Sequence, residues 1–129
     1  NLFDNMNLRG ELLKKAKEQN KIIHTRSAFL QGLFFMKKDN PNSIRIKFEK
    51  ELNLIEAISL ESRYAIGSIA LNYCLLQHNI DGVLIGVDTI EQLKENLSFL
   101  ENDIKEEFLT KINSIKIDNI ELLNPSKWK

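Results

Sequence analysis

The stretch of this sequence best equipped for chemistry is residues 86–96, Gly-Val-Asp-Thr-Ile-Glu-Gln-Leu-Lys-Glu-Asn. An apolar run, residues 80–87, leads into it and reads as a buried strand ending at a glycine. Asp88 or Thr89 can then cap a helix, with Glu91 and Gln92 three positions beyond them, respectively. The first turn of such a helix has free backbone N–H groups and the positive end of the helix dipole, so it can hold a phosphate. Glu95 and Asn96 follow Gln92 by three and four residues, close to its face, where polar side chains can meet a flat base. The competing reading is an ordinary capped helix with a solvated face. Other reactive residue types are scattered. Tyr64 and Tyr73 fall in or beside helices, and His24 and His78 lack a matching lysine and aspartate context. Cys74 is the only cysteine; with two histidines it leaves too few soft ligands for a zinc site. Tyr73 and Cys74 read as core, and His78 as a neighbour of a helix C-terminus.

The elements that must position this segment follow from periodicity. Residues 7–19 place Leu8, Leu12, Leu13 and Ala16 on one face of an amphipathic helix, and Asn20 stands where its stop is expected. Residues 22–28 read as a strand, His24 and Arg26 alternating with Ile23 and Thr25 so that one face is polar. The strongly apolar residues 29–36 contain Gln31-Gly32, and residues 37–43, with Asn40-Pro41-Asn42, are the clearest loop. Phe48, Leu52, Ile55 and Ile58 predict a helix over residues 43–62. Residues 65–77 predict another, apolar on nearly every side and therefore almost surrounded by protein. Residues 80–87 have the composition of a parallel strand covered on both faces. Ile90, Leu93, Leu97 and Leu100 form the apolar stripe of the next helix; Ile104, Phe108, Leu109 and Ile112 predict a last one before a polar tail, residues 124–129.

Two strands joined by a helical crossover make a β-α-β unit, which requires a parallel sheet. Two strands cannot close on themselves, since a barrel of this type needs eight. Each would leave outer backbone groups unpaired. Neighbouring chains then supply the missing strands, or these residues are the carboxyl part of a larger barrel.

Composition excludes several classes. The chain has 129 residues, 18 basic and 18 acidic, and a formal net charge of zero. That length suits one domain, and the balanced charge makes no electrostatic case for nucleic acid or an anionic membrane surface. With 43% hydrophobic and 28% charged residues, wholesale disorder is not expected. No apolar run approaches the roughly 20 residues of a membrane span. The N-terminus has neither a basic nor an apolar signal region, so a reducing cytoplasm is the default location. Asparagine rather than methionine at position 1 leads us to expect that the chain starts inside something longer.

Five stretches, in order, resemble the aldo/keto reductase family. Residues 85–88 (Ile-Gly-Val-Asp) with residues 91–97 are similar to that family's final strand and cofactor helix, and residues 26–33 (Arg-Ser-Ala-Phe-Leu-Gln-Gly-Leu) to its seventh strand and following loop. Ile69-Ala70-Leu71, the closing Leu123-Asn124-Pro125-Ser126-Lys127-Trp128, and Asn1-Leu2-Phe3-Asp4 (the end of a sixth strand) also fit. The resemblance implies the C-terminal part of a (β/α)8 TIM barrel, a nicotinamide cofactor (NAD or NADP) and reduction of a small carbonyl substrate by hydride transfer. It places the catalytic aspartate, tyrosine, lysine and histidine on the first four strands, ahead of Asn1. By the same resemblance Ser27, Phe29, Gln31 and Gly32 lie along the pyrophosphate. Gly86, Asp88, Thr89, Gln92, Glu95 and Asn96 then lie at the adenosine end. Phosphate sites of such barrels commonly use the loops after strands seven and eight. Many members have an aromatic residue where this chain has Arg26, and a basic one at Val87 or Asp88 for the 2′-phosphate. Aspartate at 88 suits the free 2′-hydroxyl of NAD better.

The leading expectation is thus residues 1–129 as one incomplete domain, carrying cofactor contacts but no catalytic groups, and self-associating or pairing with the missing N-terminal half. The alternatives are a non-catalytic barrel fragment that self-associates as an interaction module, and a different barrel enzyme with a similar phosphate site.

Overall fold

The computed structural model describes residues 1–38 and 43–128. The expected loop at residues 37–43 therefore lies largely outside the described residues. The elements occur in the order the periodicity predicts: α1 (Met6–Glu18), β1 (His24–Arg26), α2 (Glu49–Ser62), α3 (Ile66–Leu75), β2 (Gly82–Leu84), α4 (Ile90–Ser98) and α5 (Glu106–Asn113). The two strands pair in parallel, His24 opposite Gly82, Thr25 opposite Val83 and Arg26 opposite Leu84. This is a helix-rich α/β fold around one β-α-β unit.

Local chemistry explains the boundaries. The Asn5 side chain caps α1 by accepting the Asn7 N–H at 3.1 Å. Asn20 adopts φ +57° just past the other end, and the Asn20 and Lys21 N–H groups close onto the Lys17 and Ala16 carbonyls. That is the left-handed stop for which asparagine is suited. Residues 43–62 split into a 3-10 turn, Ile44–Phe48, capped by Ser43, and the α-helix that follows it. α3 is buried from Gly67 through Cys74, as its all-round hydrophobicity requires.

Two expectations about the strands change. Both strands are three residues long, not the seven or eight of the apolar runs, because each has one neighbour to pair with among the described residues and Ser27 turns the chain away at φ +64°. β2 is not covered on both faces: α3 lies against the sheet, while His24, Arg26 and Leu84 (57% exposed) are open on its other side. The stripe of α4 is uncovered by the described residues, as a helix of an incomplete barrel should be, with Ile90 at 67% exposure and Leu97 at 55%. α4 instead turns Asn96 and Phe99 inward.

The core lies between α2, α3, α5 and the segment ahead of α1. Phe3 stacks on Phe48 at 5.5 Å and meets Phe34 edge-on at 5.2 Å. The tail is not simply polar: Trp128 folds back onto Phe48 at 6.0 Å and donates its indole N–H to the Leu122 carbonyl at 2.7 Å. Asn5 and Tyr73 carry the polar groups that tie this core to the start of α1. Asn5 donates to the Ile112 and Ile115 carbonyls, and the Tyr73 hydroxyl accepts the Met6 N–H and donates to Asn113 Oδ1.

Candidate functional site

The loop that leaves β1 is conformationally unusual. Leu30, Gln31 and Gly32 have φ of +46°, +54° and +74°, a run of three left-handed residues of which one is glycine. A non-glycine residue there costs roughly 1–2 kcal/mol, so packing must hold it in place. Leu30 is 1% exposed and lies in the core with Ala28 and Leu33. The Leu30 and Leu33 N–H groups donate to the Ser27 and Leu30 carbonyls at 2.9 and 3.1 Å. Pinned this way, the loop leaves Gln31 at the surface.

The turn from β2 into α4 is fixed by two reciprocal hydrogen bonds. Thr89 Oγ1 accepts the Gln92 N–H at 3.2 Å, and Gln92 Oε1 accepts the Asp88 N–H at 2.7 Å. Thr89 is thus the cap, and Gln92 keeps its amide NH2 free to donate. A Cβ on Gly86 would meet nothing within 4 Å, so the chain's own packing does not require glycine there; the bare backbone opens onto free space.

Between loop and helix lies an open cleft of about 900 Å³. It brings together nine of the ten residues singled out above: Ser27, Phe29, Gln31 and Gly32 from one wall, Gly86, Asp88, Gln92, Glu95 and Asn96 from the other. Thr89 is the exception, being occupied as the cap. Asn96 is 9% exposed and borders the cleft, and its carboxamide atoms, which make no hydrogen bond to the described residues, face solvent there rather than being sealed in the core. A carboxamide so placed is ready for a ligand with paired donor and acceptor edges. Arg26 adds a positive charge to a lining that also carries the carboxylates of Asp88 and Glu95.

Sequence reasoning missed the apolar wall. Phe35 and Phe99 line the cleft with Phe29, whose ring centroid is 5.4 Å from that of Phe35. Neither fell on a periodic stripe that marked it. The residues set aside from catalysis lie elsewhere. Burial pushes the Tyr73 hydroxyl up to about 12 and raises the Cys74 thiol, and both side chains are in the core. His78 is exposed in the turn after α3. The described lining of the cleft contains no tyrosine, lysine or histidine.

Comparison with known proteins agrees with the order of motifs. No curated protein is similar enough to this chain to count as a match. The model of the aldo/keto reductase family matches residues 1–117, nine-tenths of the chain and the whole of both strands, the cleft and α4. The family suggests an oxidoreductase-type function, and its members generally use NAD(P)H. This chain therefore belongs to the aldo/keto reductase family.

Proposed function

We propose that these residues are the C-terminal, cofactor-binding portion of an NAD(P)-dependent aldo/keto reductase barrel, whose catalytic groups come from strands ahead of Asn1. The observation that carries this reading is the cleft itself. A strained loop and a capped helix, 57 residues apart along the chain from Gly32 to Thr89, converge around the carboxamide of Asn96, which opens onto the cleft. The uncovered surfaces support the incomplete barrel. Leu84 on β2, Ile90 and Leu97 on α4, Leu12 (63%) on α1 and Ile22 (79%) just ahead of β1 are all exposed. The strand pair and its helices thus carry the apolar surface that further strand–helix units would bury.

The residues present fit a dinucleotide. Gln92 and Asn96 supply carboxamides for the adenine, and Asp88 an acceptor for the ribose hydroxyl. Glu95 adds a second acceptor on the same wall, and Ser27, Phe29, Gln31 and Gly32 form the wall along the pyrophosphate. The nicotinamide, when bound, supplies the hydride. The role of this chain is to bind and orient that cofactor while the small carbonyl substrate approaches from the open side. No helix among the described residues is long and apolar enough to cross a membrane. The reading places the protein in the reducing cytoplasm, where the buried thiol of Cys74 needs no partner.

Titrating NADH and NADPH against the full-length protein tests this. Saturable binding that Gln92→Ala and Asn96→Ala each weaken, about equally for both nucleotides, supports the site. Binding that neither substitution changes rejects it. If neither nucleotide binds and the chain forms stable oligomers through its exposed apolar stripe, the interaction module replaces the reductase.

A further inference from the structure

The last turn of α4 is held by a buried polar knot that the cofactor contacts themselves do not explain. The backbone carbonyl of Phe99 accepts from Asn72 Nδ2 at 2.7 Å, from Ser68 Oγ at 3.3 Å and from Asn102 Nδ2 at 3.4 Å. Asn72 also donates to the Ser68 carbonyl at 3.0 Å, and Asn102 to Ser68 Oγ at 3.0 Å. Ser68 and Asn72 are 1% and 6% exposed and four residues apart on α3, hence on one face. Gly67 adjoins them. A Cβ at Gly67 would lie 2.5 and 2.7 Å from the Phe99 ring and 3.3 Å from that of Phe35. Glycine here is a matter of close approach: it lets both rings of the cleft wall settle against α3.

We propose that Gly67 and Asn72 are positioning residues for the ligand-binding end of α4: they fix the ring and the carbonyl of Phe99, and through it the cleft-facing side of Asn96 and Glu95. The connection is short. Phe99 N–H donates to the Glu95 carbonyl, and Asn96 is three residues back on the same inward face. Because the outer stripe of α4 is uncovered by the described residues, α3 and the Phe99 turn are what orients the helix from this side. This inference rests on the cleft binding a dinucleotide, so wild-type affinity for NADH is measured first.

Gly67→Ala in the full-length protein is expected to weaken NADH binding about tenfold, the loss that follows from misplacing one or two hydrogen bonds. Gly67→Ser, larger than alanine against the same ring, should weaken it at least as much. Asn72→Ala introduces no clash and is expected to weaken NADH about threefold, within the net worth of one hydrogen bond. A purely structural anchor lowers the melting temperature and leaves the NADH dissociation constant of the folded protein unchanged; that result overturns the proposal. If Gly67→Ala does not fold, Asn72→Ala decides by the same criterion. Absence of both NADH and NADPH binding to wild type defeats the cofactor reading and this inference together, whereas intact wild-type binding with unaltered variants defeats this inference alone.

Discussion

Asp88→Arg in the full-length protein should shift the cofactor preference from NAD toward NADP. Asp88 is exposed at the cleft, one residue ahead of the cap of α4, and its carboxylate has no ion-pair partner among the described residues. Its backbone is held by the hydrogen bond from its N–H to Gln92, so a replacement side chain starts from the same place. A pair of unit charges 4 Å apart is worth about 1 kcal/mol at the dielectric of water and about 4 kcal/mol at an effective value of 20. A 2′-phosphate carries roughly −1.5 to −2 charges, so exchanging carboxylate for guanidinium turns a repulsion of about 2 kcal/mol into a comparable attraction. Screening over a Debye length of about 8 Å and the cost of ordering an arginine side chain reduce the change to about 1–3 kcal/mol. The ratio of NADH to NADPH dissociation constants should therefore move about 5- to 150-fold toward NADPH. Fluorescence titration of both nucleotides, wild type against Asp88→Arg, measures it. An unchanged ratio refutes the placement of Asp88 at the ribose.

Tyr73→Phe leaves the part-buried Met6 N–H and Asn113 Oδ1 without their partner and should cost about 1–2 kcal/mol, read as a lower midpoint in urea at unchanged slope. Acid should loosen the junction of α1 and β2. The Lys17 ammonium, and then the Ile23 N–H, hold the Asp81 carboxyl below the usual carboxylate range, so its contribution is present above about pH 4 and is lost as pH falls through the lowered value. Thermal melts of wild type and Asp81→Asn should thus converge at low pH and separate near neutrality. The 129-residue chain by itself should self-associate as concentration rises, and Leu97→Lys with Ile90→Lys should reduce this in sedimentation velocity; a concentration-independent monomer contradicts the incomplete-barrel reading.

What the sequence reveals and what it conceals follow from how far each signal reaches. The stop at Asn20 and the Thr89–Gln92 cap are satisfied within a few residues of backbone, so residue type and spacing suffice to place them. The enclosure of α3 is legible because a helix apolar all round has no solvated side to choose. The stripe of α4 is different: Ile90, Leu93, Leu97 and Leu100 record which face expects a partner, and what covers it is a property of other elements. The same holds for the length of β2, since an apolar run becomes ladder only where a neighbour pairs with it. At the cleft, Gly32 announces one left-handed position, but Ser27, Leu30 and Gln31 adopt that conformation because buried Leu30 and its neighbours impose it, which no local rule encodes. Phe35 and Phe99 become a cleft wall because Gly67 lies beneath both, a contact across 32 residues in each direction.

Hydrogen exchange of the full-length protein with and without NADH tests most directly whether the two loops form one cofactor site. Saturating NADH should protect the amides of residues 27–32 and 86–96 together, and Asn96→Ala should diminish both effects at a fixed nucleotide concentration. Protection confined to one of these segments, or falling elsewhere while both remain unchanged, contradicts the assignment of this cleft.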